Sequence, residues 1–260
     1  MTAKAISDQR LPIRWRIRRS IQLPMQRLLM IMADYMNFFL VRGLEPRGQI
    51  EVRRFLKAPM FSIATDYVRN ATLELICRDI REHQVSGAVA ELGVYQGDFA
   101  LLMHSHLAER PIHLFDTFQG FDTRDVSADA DQAYVDEFPD FTGTSAARVA
   151  SRFDKQADVV LHPGWFPASA EGSGNEQFAL VSIDTDLYQP IFTGLQWFWP
   201  RLNAGGCILV HDYNNASFKG AKAAVLDFLK MTPAVTCCPI PDVGGTAIIR
   251  KPLLVPSVSV

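Results

Sequence analysis

The chain has 260 residues, of which 48% are hydrophobic and 21% charged, with a formal net charge of −2. It is long enough to bury a substantial core as one α/β domain with an extension. It is too apolar for a disordered chain and too evenly charged for a nucleic-acid-binding polycation, so no nucleic-acid partner is expected. The four cysteines, Cys77, Cys207, Cys237 and Cys238, lack zinc-ligand spacing, and the adjacent pair cannot bridge to itself without strain. Reduced, buried thiols fit a cytoplasmic protein. The first apolar run, Leu28 to Val41, contains Asp34 and Asn37. It falls short of the roughly 20 apolar residues that cross a bilayer, and no small-residue cleavage site follows it, so neither a membrane span nor a signal peptide is expected.

Residues 1–64 form a first region, basic and aromatic. Arg10, Arg14, Arg16, Arg18, Arg19 and Arg27 interleave with or precede Trp15, Ile17, Leu29, Met30, Ile31, Phe38 and Phe39. Two readings stay open: a segment that lies on an anionic membrane surface or partner, as a peripheral contact, and a helical arm that packs on the domain or on a second subunit. A homo-oligomer is expected, and packing of the arm on a second subunit would fit it.

Residues 65–260 form the second region, in which amphipathic helices alternate with short apolar runs, the pattern of βαβ units. The stretch 65–84 repeats apolar residues at helical spacing, and 87–93 gives a buried strand ended by glycine. A helix is predicted over Asp98–Leu107, then a strand over 111–116, a helix near Ser145–Phe153, and strands over 158–162 and 178–184. Gln189–Leu202 is predicted as a helix, with Pro190 tolerated in its first turn. A fifth strand follows over 205–212, then a helix over Phe218–Met231. The turn Asp242-Val243-Gly244-Gly245 suits a closing hairpin. The expected fold is thus a Rossmann-like α/β domain, a seven-stranded, mostly parallel sheet with a C-terminal antiparallel pair.

The strongest local signal is Glu91-Leu-Gly93-Val-Tyr95-Gln-Gly97, where the first strand becomes a helix, because ligands of open α/β sheets bind at that edge. Gly93 and Gly97 permit a tight turn and close backbone approach. The acid two residues before the first glycine would repel the pyrophosphate of a dinucleotide but suits a cofactor with a cationic amino group. About 20 residues on, Asp116 ends the second strand, where an acid can take two ribose hydroxyls; helix capping is the alternative.

The ordered set 91–97, Asp116-Thr117-Phe118-Gln119-Gly120-Phe121, 162–167, 182–190 and 202–213 resembles the macrocin-type sugar O-methyltransferases, over roughly Val68 to Lys230. The resemblance implies S-adenosylmethionine as methyl donor, a divalent cation, usually magnesium, and a hydroxyl of a sugar or glycosylated natural product as acceptor. It implies that Glu91 lies near the methionine end of the cofactor, that Asp116 and its neighbour Thr117 hold the ribose, and that Gly164 and Trp165 build the adenine wall. Tyr95, Phe118 and Trp165 could each place an aromatic face near the sulfonium, or be core residues.

Asp184-Thr185-Asp186 ends the fourth strand and His211-Asp212-Tyr213 the fifth, so both emerge on the rim of the cofactor turn. The family's ligand set is the first acid of the fourth-strand motif and two consecutive acids after the fifth strand. This chain offers Asp184, His211 and Asp212. The histidine replaces an anionic oxygen with a neutral nitrogen, which weakens the case for magnesium and favours a softer ion such as manganese, or a site that has lost its metal. His211 is alternatively a general base. Asp184, which also lies beside the cofactor, is the other candidate proton acceptor. Asp186 either binds a neighbouring sugar hydroxyl or caps the next helix.

The acidic stretch 121–143 lacks regular periodicity and reads as a lid or as a solvated insertion. The leading expectation is a metal-assisted O-methyltransferase. A degenerate protein that binds cofactor or partner without catalysis is the alternative. A nicotinamide oxidoreductase would need a phosphate-binding turn that the chain lacks.

Overall fold

A computed structural model describes residues 66–135 and 138–253. The basic arm of residues 1–64 lies outside them. No helix among the described residues is long and apolar enough to cross a membrane.

The chain enters the described region on helix α1 (Tyr67–Glu82), whose start is set by Asp66: its carboxylate accepts from the Arg69 amide at 3.0 Å. Leu73, Cys77 and Ile80 recur at helical spacing and are buried against the sheet. Strand β1 (Ala88–Leu92) is buried along its whole length, as expected for a strand covered on both faces. Helix α2 (Asp98–His106) begins at Gly97, whose φ of 83° is left-handed. Strand β2 (Ile112–Asp116) follows, then α3 (Thr123–Asp131), α4 (Ala146–Ala150), β3 (Val159–Pro163), β4 (Phe178–Ile183), α5 (Tyr188–Phe198), β5 (Leu202–Val210), α6 (Lys219–Met231), β6 (Cys237–Pro239) and β7 (Ala247–Arg250).

The strands form one sheet in the order β3-β2-β1-β4-β5-β7-β6. All neighbours are parallel except β5 with β7 and β6 with β7. The mostly parallel sheet with a closing antiparallel pair is therefore present. Side chains alternate across it. Leu92, Phe178, Ile183, Ile208 and Val210 face α5 and α6, whereas Val89, Leu180, Cys207 and Leu209 face α1 and α2. The strand order reverses between β1 and β4, which opens a crevice beyond their C-terminal ends.

Three expectations shift. The fifth strand begins at Leu202, three residues before the glycines that were expected to start it, and the helix before it ends at Phe198. The stretch 121–143 is not irregular throughout: Thr123–Asp131 is a helix, capped by Asp122, which accepts from the Arg124 amide. Its polar composition, in which Ala128, Asp129, Ala130 and Asp131 alternate, conceals the single apolar contact face that periodicity would need. The start of α5 is capped by Asp129, both of whose carboxylate oxygens lie within 3.0 Å of the Tyr188 amide, and Asp186 has no part in this capping.

Candidate active site

Beyond the C-terminal ends of β1, β2 and β4 lies a cavity of about 380 Å³. That is within the range of small-molecule sites, ~300–1,000 Å³. Glu91, Gly93, Tyr95, Asp116, Thr117, Gly164, Trp165, Asp184, His211 and Asp212 all line it. Two expected residues do not. Gly97 serves as the cap of α2, and the Phe118 side chain is buried in the core layer beneath α2, with its amide turned to Asp116.

The turn after β1 is drawn tightly against β4. A Cβ at Gly93 would sit 2.0 Å from the Asp184 carbonyl oxygen, and the glycine's φ is +86°, so no side chain fits there. Asp116 braces the same turn. Its Oδ2 accepts from the Val94 and Tyr95 amides at 2.7 and 2.8 Å, and its Oδ1 from the Phe118 amide at 2.6 Å. A carboxylate offers about four acceptor directions, so this bracing leaves room for a hydroxyl from the cavity. Capping of a helix, the alternative reading of Asp116, is not what it does.

Glu91 is 1% exposed, and its Oε2 has no partner. Burial, and then the neighbouring Asp184 charge, push its carboxyl well above the usual range, against the pull of Arg69. The group waits for a cation or a donor.

On the other side of the cavity the polar groups are side chains. Asp184 Oδ2 accepts from Arg69 at 2.9 Å, and its Oδ1 lies 3.0 Å from His211 Nδ1. The same Nδ1 is 2.8 Å from Asp212 Oδ2. Burial opposes the charge on Asp184, but His211 and Arg69 outweigh it and hold the carboxyl far below the usual range. Burial likewise opposes the imidazolium, but Asp184, and hydrogen bonds to Asp184 and Asp212, raise His211 to about 10. Asp186 is pushed well up, first by burial and then by its hydrogen bond with Asp212.

The ring is held from behind. A Cβ on Gly244 would lie 2.3 Å from His211 Nε2, so the hairpin loop packs directly on the far edge of the imidazole, whose Nδ1 meets the carboxylates. That loop is tied to α1, because Asp66 Oδ2 accepts from the Val243 amide at 2.9 Å.

Six described non-glycine residues have positive φ, and four of them, Tyr95, Phe118, Asp186 and Asp212, belong to these rim turns. Such backbone costs of order 1 kcal/mol per residue and gathers where a fold over-determines a site.

The Asp184, His211 and Asp212 ligand atoms lie within 4.8 Å of one another. Adjacent ligands of an octahedral ion with bonds near 2.1 Å are about 3 Å apart, and the spacings of 3.0 and 2.8 Å around His211 Nδ1 agree with that. One imidazole nitrogen carries at most one proton, so it cannot donate fully to both carboxylates. A divalent ion would satisfy all three at once. The residues fit such an ion, with two conditions: His211 must lose its proton, and Arg69 stays beside Asp184 as a competing positive charge. The nitrogen ligand favours manganese over magnesium.

Arg69, Asp125 and Asp129 were not legible as site residues. Arg69 is 8% exposed and lies with its guanidinium 3.9 Å from the centre of the Phe99 ring, a cavity residue.

Strand order, crevice and closing hairpin define the Rossmann-like fold of class I methyltransferases. The structure aligns with that of the O-methyltransferase NovP at a TM-score of 0.58, with 20% identity, over 73% of this chain and 81% of that one. With the calicheamicin methyltransferase CalS11 the TM-score is 0.55, at 19% identity, over 82% and 98% of the two chains. Residues 59–248 match the Macrocin-O-methyltransferase (TylF) family, and the chain belongs to it.

Among curated relatives, the 8-demethyl-8-(2,3-dimethoxy-alpha-L-rhamnosyl)-tetracenomycin-C 4'-O-methyltransferase of Streptomyces olivaceus is 25% identical over 180 residues, covering 64% of this chain and 66% of the relative. The mycinamicin III 3''-O-methyltransferase of Micromonospora griseorubida is 29% identical over 143 residues, 50% of this chain and 56% of the relative. The chain thus spans 56–66% of the length of these relatives.

Proposed function

We propose that the chain transfers the methyl group of S-adenosylmethionine to a hydroxyl of a sugar, a glycan precursor or a glycosylated natural product. The observation that carries this reading is the meeting, in one cavity, of a buried acid whose carboxyl is pushed up by burial and a braced glycine turn with a carboxylate-rich rim. Membership in the TylF family, and relatives that methylate sugar hydroxyls, support it.

In this reading Glu91 receives the cofactor's ammonium group, which favours its ionised form, and Asp116 takes a ribose hydroxyl while holding the turn. Gly164 and Trp165 face the purine. The acceptor hydroxyl lies against Asp184. Its oxygen attacks the methyl carbon, the carbon–sulfur bond breaks with its electron pair on sulfur, and the hydroxyl proton leaves along its hydrogen bond to Asp184 and on to solvent, because a carboxyl held so far below the usual range relays a proton without keeping it. An alcohol holds its proton too tightly to attack unaided at neutral pH, so alignment and proton removal must act together. A divalent ion held by Asp184, His211 and Asp212 would lower the hydroxyl's pKa. His211 serves in this scheme as a ligand or as a cationic clamp. In the ion-free site Asp184 and Asp212 raise its pKa to about 10, which favours the cationic clamp over a general base.

The test is methyl transfer to a panel of glycosides with free sugar hydroxyls, with manganese, with magnesium and with chelator. O-methylated product in at least one arm is expected. The presence of histidine where the family carries a second acid favours one other reading, a protein that binds cofactor without transferring its methyl group. Cofactor binding without product in any arm would select that reading.

A further inference from the structure

The acidic stretch after β2 delivers one side chain to the cavity that neither the family resemblance nor the mechanism above uses. Asp125, in the first turn of α3, is 6% exposed and lines the cavity beside Gly164 and Trp165. Its Oδ2 accepts from Trp165 Nε1 at 3.1 Å. Among the described residues Oδ1 accepts no hydrogen bond. Burial comes first in pushing this carboxyl up, to about 6, with Asp122 and Asp129 adding to it and Trp165 and Arg124 opposing it. Keeping a carboxylate there is costly in the absence of a further donor.

The neighbouring polar groups are committed. Asp122 meets the Arg124 guanidinium through both oxygens at 2.7 Å, and that guanidinium lies 3.9 Å from the centre of the Trp165 ring. Asp116 accepts from three backbone amides, and the wall itself supplies only Gly164, Trp165 and Phe166. Beside Trp165, Asp125 thus lines the cavity with one carboxylate oxygen not taken by the indole.

We infer that Asp125 reads the exocyclic amino group of the cofactor's purine, through an Oδ1 that faces the cavity while Oδ2 holds Trp165. This rests on the cofactor reading above. The base is then recognised by two segments far apart in sequence: Trp165 supplies the apolar face, and α3 supplies the polar edge. An amino group at that position donates to a carboxylate. A keto group there would set two acceptors against each other. The arrangement makes α3 a reader of the base as well as a cover. A purely structural Asp125 would need only to accept from the indole N–H, which an amide oxygen does equally well.

The experiment is calorimetric titration of the full chain with S-adenosylhomocysteine and with its deaminated analogue S-inosylhomocysteine, for wild type and for Asp125→Asn. Asparagine keeps the acceptor for Trp165 and can present an N–H to the keto group. Wild type should prefer the adenosyl compound by about 10- to 100-fold, the range for a hydrogen bond to a charged group. Asp125→Asn should flatten or reverse that preference. An unchanged ratio in Asp125→Asn would overturn the inference while leaving the methyltransferase reading standing. Should the variant fail to fold, wild type alone decides: equal affinity for the two compounds removes the inference. Absence of binding by either compound to wild type would instead remove the cofactor reading on which it rests.

Discussion

The two sides of the cavity are built from different materials. On the β1–β2 side the backbone turn is fixed by Gly93 and by three amide hydrogen bonds into Asp116, with Glu91 buried beside it. On the β4–β5 side the polar groups are charged side chains, Asp184 between Arg69 and His211, and Asp212 against His211. A turn set by backbone hydrogen bonds, at a glycine with no room for a side chain, holds its geometry, which suits the binding of one invariant cofactor. A cluster of two cations around ionised carboxylates depends on protonation, and a metal ion or an acceptor hydroxyl can rearrange it. The difference predicts that damage to the first side is structural, and damage to the second chemical.

The largest effect should come from Gly93→Ala. The new Cβ meets the Asp184 carbonyl oxygen at 2.0 Å in a left-handed backbone, so the turn and β4 must part. A loss of at least about 3 kcal/mol is expected, read as a lowered urea midpoint together with lost cofactor binding.

Asp184→Asn should sharpen the contrast from the other side. Cofactor affinity should change little, while turnover falls roughly 100-fold or more in steady-state assays. Removing the charge also leaves Arg69 and His211 without their shared carboxylate, a cost of about 2 kcal/mol in this partly exposed setting.

The smallest effect is a pH dependence of stability in the chelated protein. His211 has its pKa raised from 6.5 to about 10 in the folded state. Its contribution is therefore complete below pH 6.5 and is lost as the pH rises toward 10. Asp184 and Asp212, held below their usual range, contribute above about pH 4, and lose that contribution in acid. Denaturant midpoints should fall between pH 6 and 9.5, and should fall less in His211→Gln. Manganese affinity should move the opposite way and rise with pH, because the ion must displace that proton.

Much of the fold was legible in the sequence, since parallel strands buried on both faces read as short apolar runs, and the amphipathic helices between them carry their own period. The glycine turn, Asp116 and the Asp184, His211 and Asp212 rim were legible because each sits at a strand end, where local pattern already says which way the chain points. Arg69 was not: in α1 it reads as one more polar residue, and its partner Asp184 is 115 positions away. Asp125 and Asp129 were hidden in the same way, with partners 40 and 59 positions on. A helix stabilised mainly by such distant contacts leaves little local periodicity. Phe118 shows the converse. Its motif position drew it toward the cofactor, but its left-handed backbone turns the amide to Asp116 while the ring goes into the core. Histidine at position 211 was visible from the start. The sequence reads it as a ligand or a base, and its place between two carboxylates favours the ligand or a cationic clamp.

The central claim is that the β1–β2 side is a site for S-adenosylmethionine. The most direct measurement is calorimetric titration of wild type with S-adenosylhomocysteine and, separately, with NAD, repeated on Asp116→Ala. The account predicts saturable one-to-one binding of S-adenosylhomocysteine, no binding of NAD, and at least about a tenfold loss of affinity in the variant. Binding of NAD in place of S-adenosylhomocysteine, or no response to S-adenosylhomocysteine at millimolar concentration, would contradict it.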